Sequence, residues 1–214
     1  MKYNCVIFDN DGVLIDSEII SNKVMVEMAK DLGVLIDLDY AMEHFSGESL
    51  KSIMEYIEKQ GRCNLPEDFE RHFRQKTYKA FETDLAPVKG VKEILERLTV
   101  PFCVASSGPR EKIELSLTAT RLIGFFSGRI FSSYDIGSWK PDPEIFLYAA
   151  REMGFKPHEC VVIEDSIAGV KAAKNGGFNV FAFAKENNRR EFEKLEATTF
   201  FSMEKLAMLL HLNS

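Results

Sequence analysis

Long hydrophobic runs are missing from this 214-residue chain: none approaches the ~20 apolar residues that a membrane span needs. The first residues carry acids where a secretory signal would carry its apolar stretch, which argues against export. Basic runs are missing too. With a net charge of −6 and a pI near 5.4, the chain is a poor match for nucleic acid. Cysteine pairing is missing: Cys5, Cys63, Cys103 and Cys160 form no C-x-x-C spacing. Cys5, Cys103 and Cys160 lie in or beside strand-like runs, where a free thiol acts as a small hydrophobe. That implies a reduced, cytoplasmic protein rather than a disulfide framework. His44, His72, His158 and His211 are scattered, so no histidine metal site is expected. Internal repeats and low-complexity tracts are also missing.

What is present is ordinary for a soluble domain, with 45% hydrophobic and 28% charged residues. Short apolar runs recur as "YNCVIF", "PFCVASS", "GRIFSS", "CVVIED", "FNVFAF" and a weaker "TTFF". Helical patterns lie between them. "VKGVKEILERL" puts Val88, Val91, Ile94, Leu95 and Leu98 on one face. "PEIFLYAAREMG" opens at Pro143, and "SIAGVKAAKNGG" runs from a candidate N-cap at Ser166 to Gly176 and Gly177. Strands alternating with helices predict an α/β fold, a doubly wound parallel sheet covered on both faces. Ligands of such sheets bind beyond the carboxyl ends of the strands.

One segment breaks the alternation. Between Ser17 and Asp84 no strand pattern appears, while three helical stripes do. Ile20, Val24, Met28 and Leu32 form one, Leu50, Ile53, Met54 and Ile57 a second, and Phe69, Phe73, Ala80 and Phe81 a third. The expected organisation is an α/β core of residues 1–16 and 87–214 with a small α-helical domain of residues 17–86 inserted after the first strand.

Polar residues gather where the apolar strands end. Asp9 and Asp11 follow "CVIF", Ser106 and Ser107 follow "FCVA", and Glu164 and Asp165 follow "CVVI". In a parallel sheet these ends share one rim. Several carboxylates around one point repel each other and call for a cation. Oxygen donors without His or Cys select a hard ion, Mg²⁺ first. The candidate metal residues are therefore Asp9, Asp11, Glu164 and Asp165. Bound metal would keep Asp9 ionised and nucleophilic. Asp11, beside other carboxylates, is expected to hold a proton and act as acid. Ser106 offers a hydroxyl. "SSGPRE" turns through Gly108 and Pro109 into a helix whose N-terminus favours anions. Lys140 stands before Pro141 in "WKPDP", so its ammonium can be aimed. A nucleophilic carboxylate, an acid, Mg²⁺, a lysine and N–H donors suit phosphoryl transfer. Each piece is ordinary alone; the order, with each at a strand end, is what carries the reading.

Taken together these stretches resemble the four motifs of the haloacid dehalogenase superfamily of phosphohydrolases. "VIFDNDGVLIDSE" resembles the first, which implies Asp9 as nucleophile and Asp11 as acid/base. "FCVASS" resembles the second, with Ser106 on the phosphoryl group. Lys140 in "SWKPDP" resembles the third. "VVIEDS" resembles the fourth, with Asp165 and Glu164 toward the metal. The helical insertion falls where one subclass of the family carries a small helical cap. The resemblance implies a Rossmann-like core and hydrolysis through an aspartyl phosphate on Asp9. The second motif often reads Ser-Asn; Ser107 stands here instead, without an amide.

Within the superfamily, "VPFCVASSGP" and "FSSYDIGSWKPDP" look most like bacterial phosphatases acting on 6-phosphogluconate. A dehalogenase would need neither Asp11 nor the Glu164-Asp165 pair. A receiver-type signalling module would carry its phosphorylated Asp on a later strand, with no insertion. A β-phosphoglucomutase is the alternative, but "DSEIISNK" lacks its cap His and "FSGESLK" offers Lys51 where it has Arg. Substrate contacts are expected from Ser106, Ser107, Gly108 and Lys140 in the core. In the insertion they are expected from Gly47 and Lys51, among Ser46, Gly47, Glu48, Ser49 and Lys51. The expected partner is a small phosphorylated metabolite, with no nucleic acid and no membrane, and the expected state is a monomer.

Overall fold

A computed structural model of the protein describes residues 2–45, 49–185 and 188–212. Among the described residues there are six strands: β1 (Cys5–Phe8), β2 (Phe102–Ser106), β3 (Ile130–Ser132), β4 (Cys160–Glu164), β5 (Asn179–Phe183) and β6 (Thr198–Phe200). They form one all-parallel sheet in the order β3-β2-β1-β4-β5-β6. Each coincides with one of the apolar runs of the sequence. Strands β1 to β4 are buried along their whole length, as a sheet covered on both faces requires.

Eleven helices are described. Four follow β1: α1 (Glu18–Asp31), α2 (Leu38–His44), α3 (Leu50–Gly61) and α4 (Phe69–Asp84). The others are α5 (Val91–Arg97), α6 (Arg110–Ala119), α7 (Ser133–Ile136), α8 (Glu144–Glu152), α9 (Ile167–Asn175), α10 (Arg189–Lys194) and α11 (Met203–Leu209). The chain divides into two compact units, Met1–Asp16 with Ala86–Ser214, and Ser17–Leu85.

The α/β unit packs Ile7, Ala105 and Val162 of the sheet against Ile145, Phe146 and Val170 of α8 and α9. Cys5 and Cys160 are register partners on neighbouring strands, and both are wholly buried and free. The Cys103 thiol, with burial adding to it, pushes the Cys5 thiol up to about 12, so it stays protonated at neutral pH. In the helical unit Val24, Met28 and Ala29 of α1 meet Ile57 of α3 and Phe69 at the start of α4.

Two local expectations change. Val88 was read onto the face of the helix that follows it, but α5 begins at Val91, after Gly90 at φ 86°. Val88 instead donates its N–H to the carbonyl of Leu14 at 3.0 Å, and Ile15 bridges to Pro87. Helix α2 carries no stripe in the sequence because its seven residues are too few to show a period. Its start is set by Asp37, whose carboxylate accepts the N–H of Asp39 at 2.8 Å.

Candidate active site

The strand order reverses at β1. From β1 the chain steps outward to β2 and β3, then returns to β4 on the other side. Such a reversal opens a crevice at the carboxyl ends of the two central strands. Asp9 continues β1 by one more ladder bond, its N–H donating to the carbonyl of Ile163 at 2.9 Å. Ile163 is the residue before Glu164, so two neighbouring strands end in acids side by side.

Lys140 joins them. Its Nζ lies 2.6 Å from Asp9 Oδ1 and 2.6 Å from Glu164 Oε1. All three side chains are buried, at 6, 10 and 0% exposure for Lys140, Asp9 and Glu164. The second oxygen of Glu164 accepts from the N–H of Ser166 at 2.7 Å and from its hydroxyl at 3.0 Å. Both Glu164 oxygens thus have partners, as a buried carboxylate requires, and Oε1 keeps a lone pair. Ser166 also caps α9, accepting the N–H of Gly169 at 3.0 Å.

Two glycines make the acids fit. A Cβ on Gly169 would collide with the Glu164 carboxylate, and one on Gly12 with that of Asp165. Gly12 also holds φ 76°, which side chains disfavour. Asp9, Glu164 and Asp165 bring carboxylate oxygens within 4.8 Å of one another. One ammonium serves Asp9 and Glu164, and Asp165 adds a third negative charge. The donor set is all oxygen, anionic and compact, which fits a hard divalent cation.

Burial is the main force on Asp9, pushing its carboxyl up to about 7; Glu164 and Asp11 push the same way, against the pull of Lys140. Burial works against the Lys140 ammonium. The charges of Asp9 and Glu164 and their hydrogen bonds outweigh it and hold the lysine above its ordinary value. The lysine is fixed as a cation between the two carboxylates it bridges.

The other expected residues fall into three places. Ser106 is buried at the end of β2, where its Oγ accepts the N–H of Gly108 at 3.1 Å. Gly108 passes its carbonyl to the Ser132 hydroxyl at 2.7 Å, and Ser107 is half-buried between them. This ties the loop between β2 and α6 to the ends of β2 and β3. The Asp11 side chain lies outside the group of carboxylate oxygens formed by Asp9, Glu164 and Asp165. Its Oδ1 instead accepts from Lys112 Nζ at 2.7 Å, and Asn10 Nδ2 stands 3.5 Å from its other oxygen. Lys51, in the first turn of α3, is 85% exposed and faces Glu55 at 3.8 Å. Ser49 caps that helix through the N–H of Ser52 at 3.0 Å. Ser46, Gly47 and Glu48 lie outside the described residues.

Lys112, Asn10 and Ser116 were not read from the sequence as site residues. Asn10 is fully buried and donates to Ser116 Oγ at 3.2 Å. The one available signal was the spacing of Lys112 and Ser116, one turn apart on α6.

A parallel sheet whose reversal point carries a buried lysine between two carboxylates places its charged groups where the ligands of such sheets bind. The family profile of haloacid dehalogenase-like hydrolases matches residues 3–177, and the chain belongs to that family. A 6-phosphogluconate phosphatase of Escherichia coli K12 is 30% identical over 209 residues, covering 97% of this chain and 95% of the relative. Among solved structures, a conserved haloacid dehalogenase-like protein of Agrobacterium tumefaciens superposes with a TM-score of 0.88 at 30% identity, covering 98% of both chains. A haloacid dehalogenase family hydrolase of Deinococcus radiodurans, solved with phosphate and sodium, gives 0.84 at 26% identity over 99% of this chain and 96% of its own. The chain is an enzyme of the phosphoric monoester hydrolase class.

Proposed function

We propose that the protein is a Mg²⁺-dependent phosphatase that hydrolyses a small phosphorylated sugar or sugar acid, 6-phosphogluconate among the candidates, through an aspartyl phosphate on Asp9. The observation that carries this reading is the buried Lys140 ammonium held 2.6 Å from both Asp9 and Glu164 at the ends of adjacent strands. The substrate class follows the E. coli relative, which matches nearly end to end.

In the first step Asp9 Oδ attacks phosphorus. An O–P bond forms, the P–O bond to the sugar breaks, and Asp11 gives its proton to the departing alkoxide. In the second step water attacks phosphorus, Asp11 takes the water's proton, and the bond to Asp9 breaks to release phosphate. Lys140, the Ser106 hydroxyl and the loop of Ser107 and Gly108 offset charge on the phosphoryl oxygens. Asp9, Glu164 and Asp165 would hold the metal. When bound, the metal offsets the carboxylate charge and draws electron density from the phosphoryl group. The helical unit is read as a cap, with Gly47 and Lys51 toward the substrate's tail. The enzyme is read as a cytoplasmic monomer, in keeping with its buried free thiols.

A phosphate-release screen over phosphorylated sugars and sugar acids, with Mg²⁺ and with chelator, tests the reading. Turnover of at least one sugar-acid phosphate, lost on chelation, is the expected result. Asp9→Asn should abolish turnover and the acid-stable covalent phosphate trapped on rapid quenching. Full turnover by Asp9→Asn rules out Asp9 as nucleophile. With β-glucose 1-phosphate, free phosphate should outpace glucose 6-phosphate; the reverse makes the enzyme a mutase.

A further inference from the structure

The α6 helix does more than follow the Ser106-Ser107-Gly108 loop. Lys112 and Ser116 are four residues apart, so they share one face of the helix. That face takes two adjacent residues of the loop after β1: Lys112 binds Asp11 at 2.7 Å, and Ser116 binds Asn10 at 3.2 Å. Ser116 is itself held, its hydroxyl donating to the Ile113 carbonyl at 2.9 Å. The ammonium's stem lies beside the Ser106-Ser107-Gly108 loop. A Cβ on Gly108 would stand 3.4 Å from Lys112 Cδ and 3.5 Å from Ser106 Oγ. The lysine therefore runs alongside the loop expected to receive the phosphoryl group and ends on the carboxyl expected to protonate the leaving oxygen.

We infer that Lys112 is a positioning residue for Asp11, docking the acid-bearing loop onto α6 and fixing the direction of its carboxyl group. This rests on the reading of Asp11 as general acid/base given above. A short acid on a turn has free side-chain torsions, and proton transfer tolerates little misplacement. A displacement of about 1 Å can cost about 100-fold in rate. A donor 2.7 Å from one carboxylate oxygen removes that freedom, leaving the other oxygen near Asn10. The side chains of Lys112 and Asp11 are partly buried, at 21 and 30% exposure, so the pair also supports local packing, and the kinetic split between substrates separates positioning from that support.

The test compares wild type, Lys112→Met, Lys112→Arg and Asp11→Asn on a sugar phosphate and on an activated aryl phosphate, whose leaving group needs little protonation. Lys112→Met keeps the stem against Gly108 and removes the donor. It should lower kcat on the sugar phosphate by about 10- to 100-fold, the span set by small misplacement of a catalytic group. On the aryl phosphate it should lower kcat by less than about threefold, with KM unchanged on both, since no binding contact is removed. Lys112→Arg, which restores a cationic donor, should recover most of the loss. A raised KM with kcat intact would assign Lys112 to substrate binding and overturn the proposal. So would equal kcat losses on the two substrates, or no loss on either. Asp11→Asn separates the two readings. If it too loses equally on both substrates, the acid assignment of Asp11 is wrong. If Asp11→Asn discriminates and Lys112→Met does not, only the positioning role is wrong. Should Lys112→Met melt early, Lys112→Gln, which keeps a polar head, answers the same question.

Discussion

Both units pair charges at their surfaces, as Lys92–Glu96 and Arg189–Glu193 do in the α/β unit, but the α/β unit also buries a charged cluster. In the helical unit, ion pairs such as Lys51–Glu55, Arg74–Glu70 and Lys76–Asp31 sit between side chains 35 to 85% exposed. In the α/β unit, Lys140 binds Asp9 and Glu164 where none of the three exceeds 10% exposure. The chemistry of an ammonium and a carboxylate is the same in both places. The solvent is not. Exposed pairs are screened, and each is worth about 0–1 kcal/mol. Buried groups have surrendered their hydration, so removing one partner strands the other in a medium that cannot solvate it. The helical unit carries charge as an exchangeable coat. The α/β unit spends stability to hold charge where no folding argument would put it.

The largest break in this contrast comes from Lys140→Met. It leaves Asp9 and Glu164 buried side by side without their cation, and loss of a buried partner of this kind costs about 3–5 kcal/mol. Urea unfolding should show that loss in metal-free protein, together with loss of turnover. A change under about 1 kcal/mol, the scale of exposed pairs, would put Lys140 in the same class as the coat charges.

A smaller effect, sharper in its sign, concerns pH. Burial raises the Asp9 carboxyl from 3.8 to about 7. The folded protein therefore favours protonated Asp9. The associated stability is fully present below pH 3.8 and is lost as pH rises through about 7. Metal-free wild type should lose stability as pH rises from 3.8 to about 7 relative to Asp9→Asn, which carries no titrating group there. Parallel stability profiles for the two proteins would remove the buried-charge argument. Mg²⁺ should reverse the trend at pH 8, stabilising the wild type by about 2.7 kcal/mol at a concentration 100-fold above its Kd. Asp165→Asn should weaken that stabilisation.

The smallest stability change is expected in the helical unit. Lys51→Ala removes a pair held at 3.8 Å between exposed groups and should alter stability by no more than about 0.5 kcal/mol. Its functional effect, if Lys51 meets the substrate's tail, is a raised KM for a sugar-acid phosphate with kcat on an aryl phosphate unchanged. An unchanged KM on both removes Lys51 from substrate binding.

The sheet is legible in the sequence because every strand is a short apolar run closed by turn or polar residues. Asp9, Ser106 and Glu164 are legible for the same reason: each is the first polar residue after such a run. Lys112 is not, since its partner lies 101 residues away and only the packing of α6 on the β1 loop brings them together. Gly12 and Gly169 read as a turn and a helix residue; that each leaves room for a carboxylate depends on contacts the local pattern cannot express. Asp11 is legible as an acid just past the end of β1, but the direction of its side chain is not. Its side chain meets Lys112 of α6, because the chain leaves extended geometry after Asp9 and turns, so the same-side rule for residues two apart on a strand no longer holds.

The backbone ties at the root of the insertion set how the chain tolerates change. Asp16 donates to the Ala86 carbonyl at 3.0 Å, Ile15 bridges to Pro87, and Val88 donates to Leu14 at 3.0 Å. The segment from Ser17 to Leu85 therefore leaves and rejoins the α/β unit where the two flanking stretches are hydrogen-bonded to each other. Once the ends are fastened, the closure entropy of what lies between grows only with the logarithm of its length, about 0.6 kcal/mol for each doubling. The sheet is close to indifferent to the size of its guest, so this root is a graft point. Segments of very different length and sequence can be carried there while Asp9, a few residues upstream, keeps its place at the end of β1.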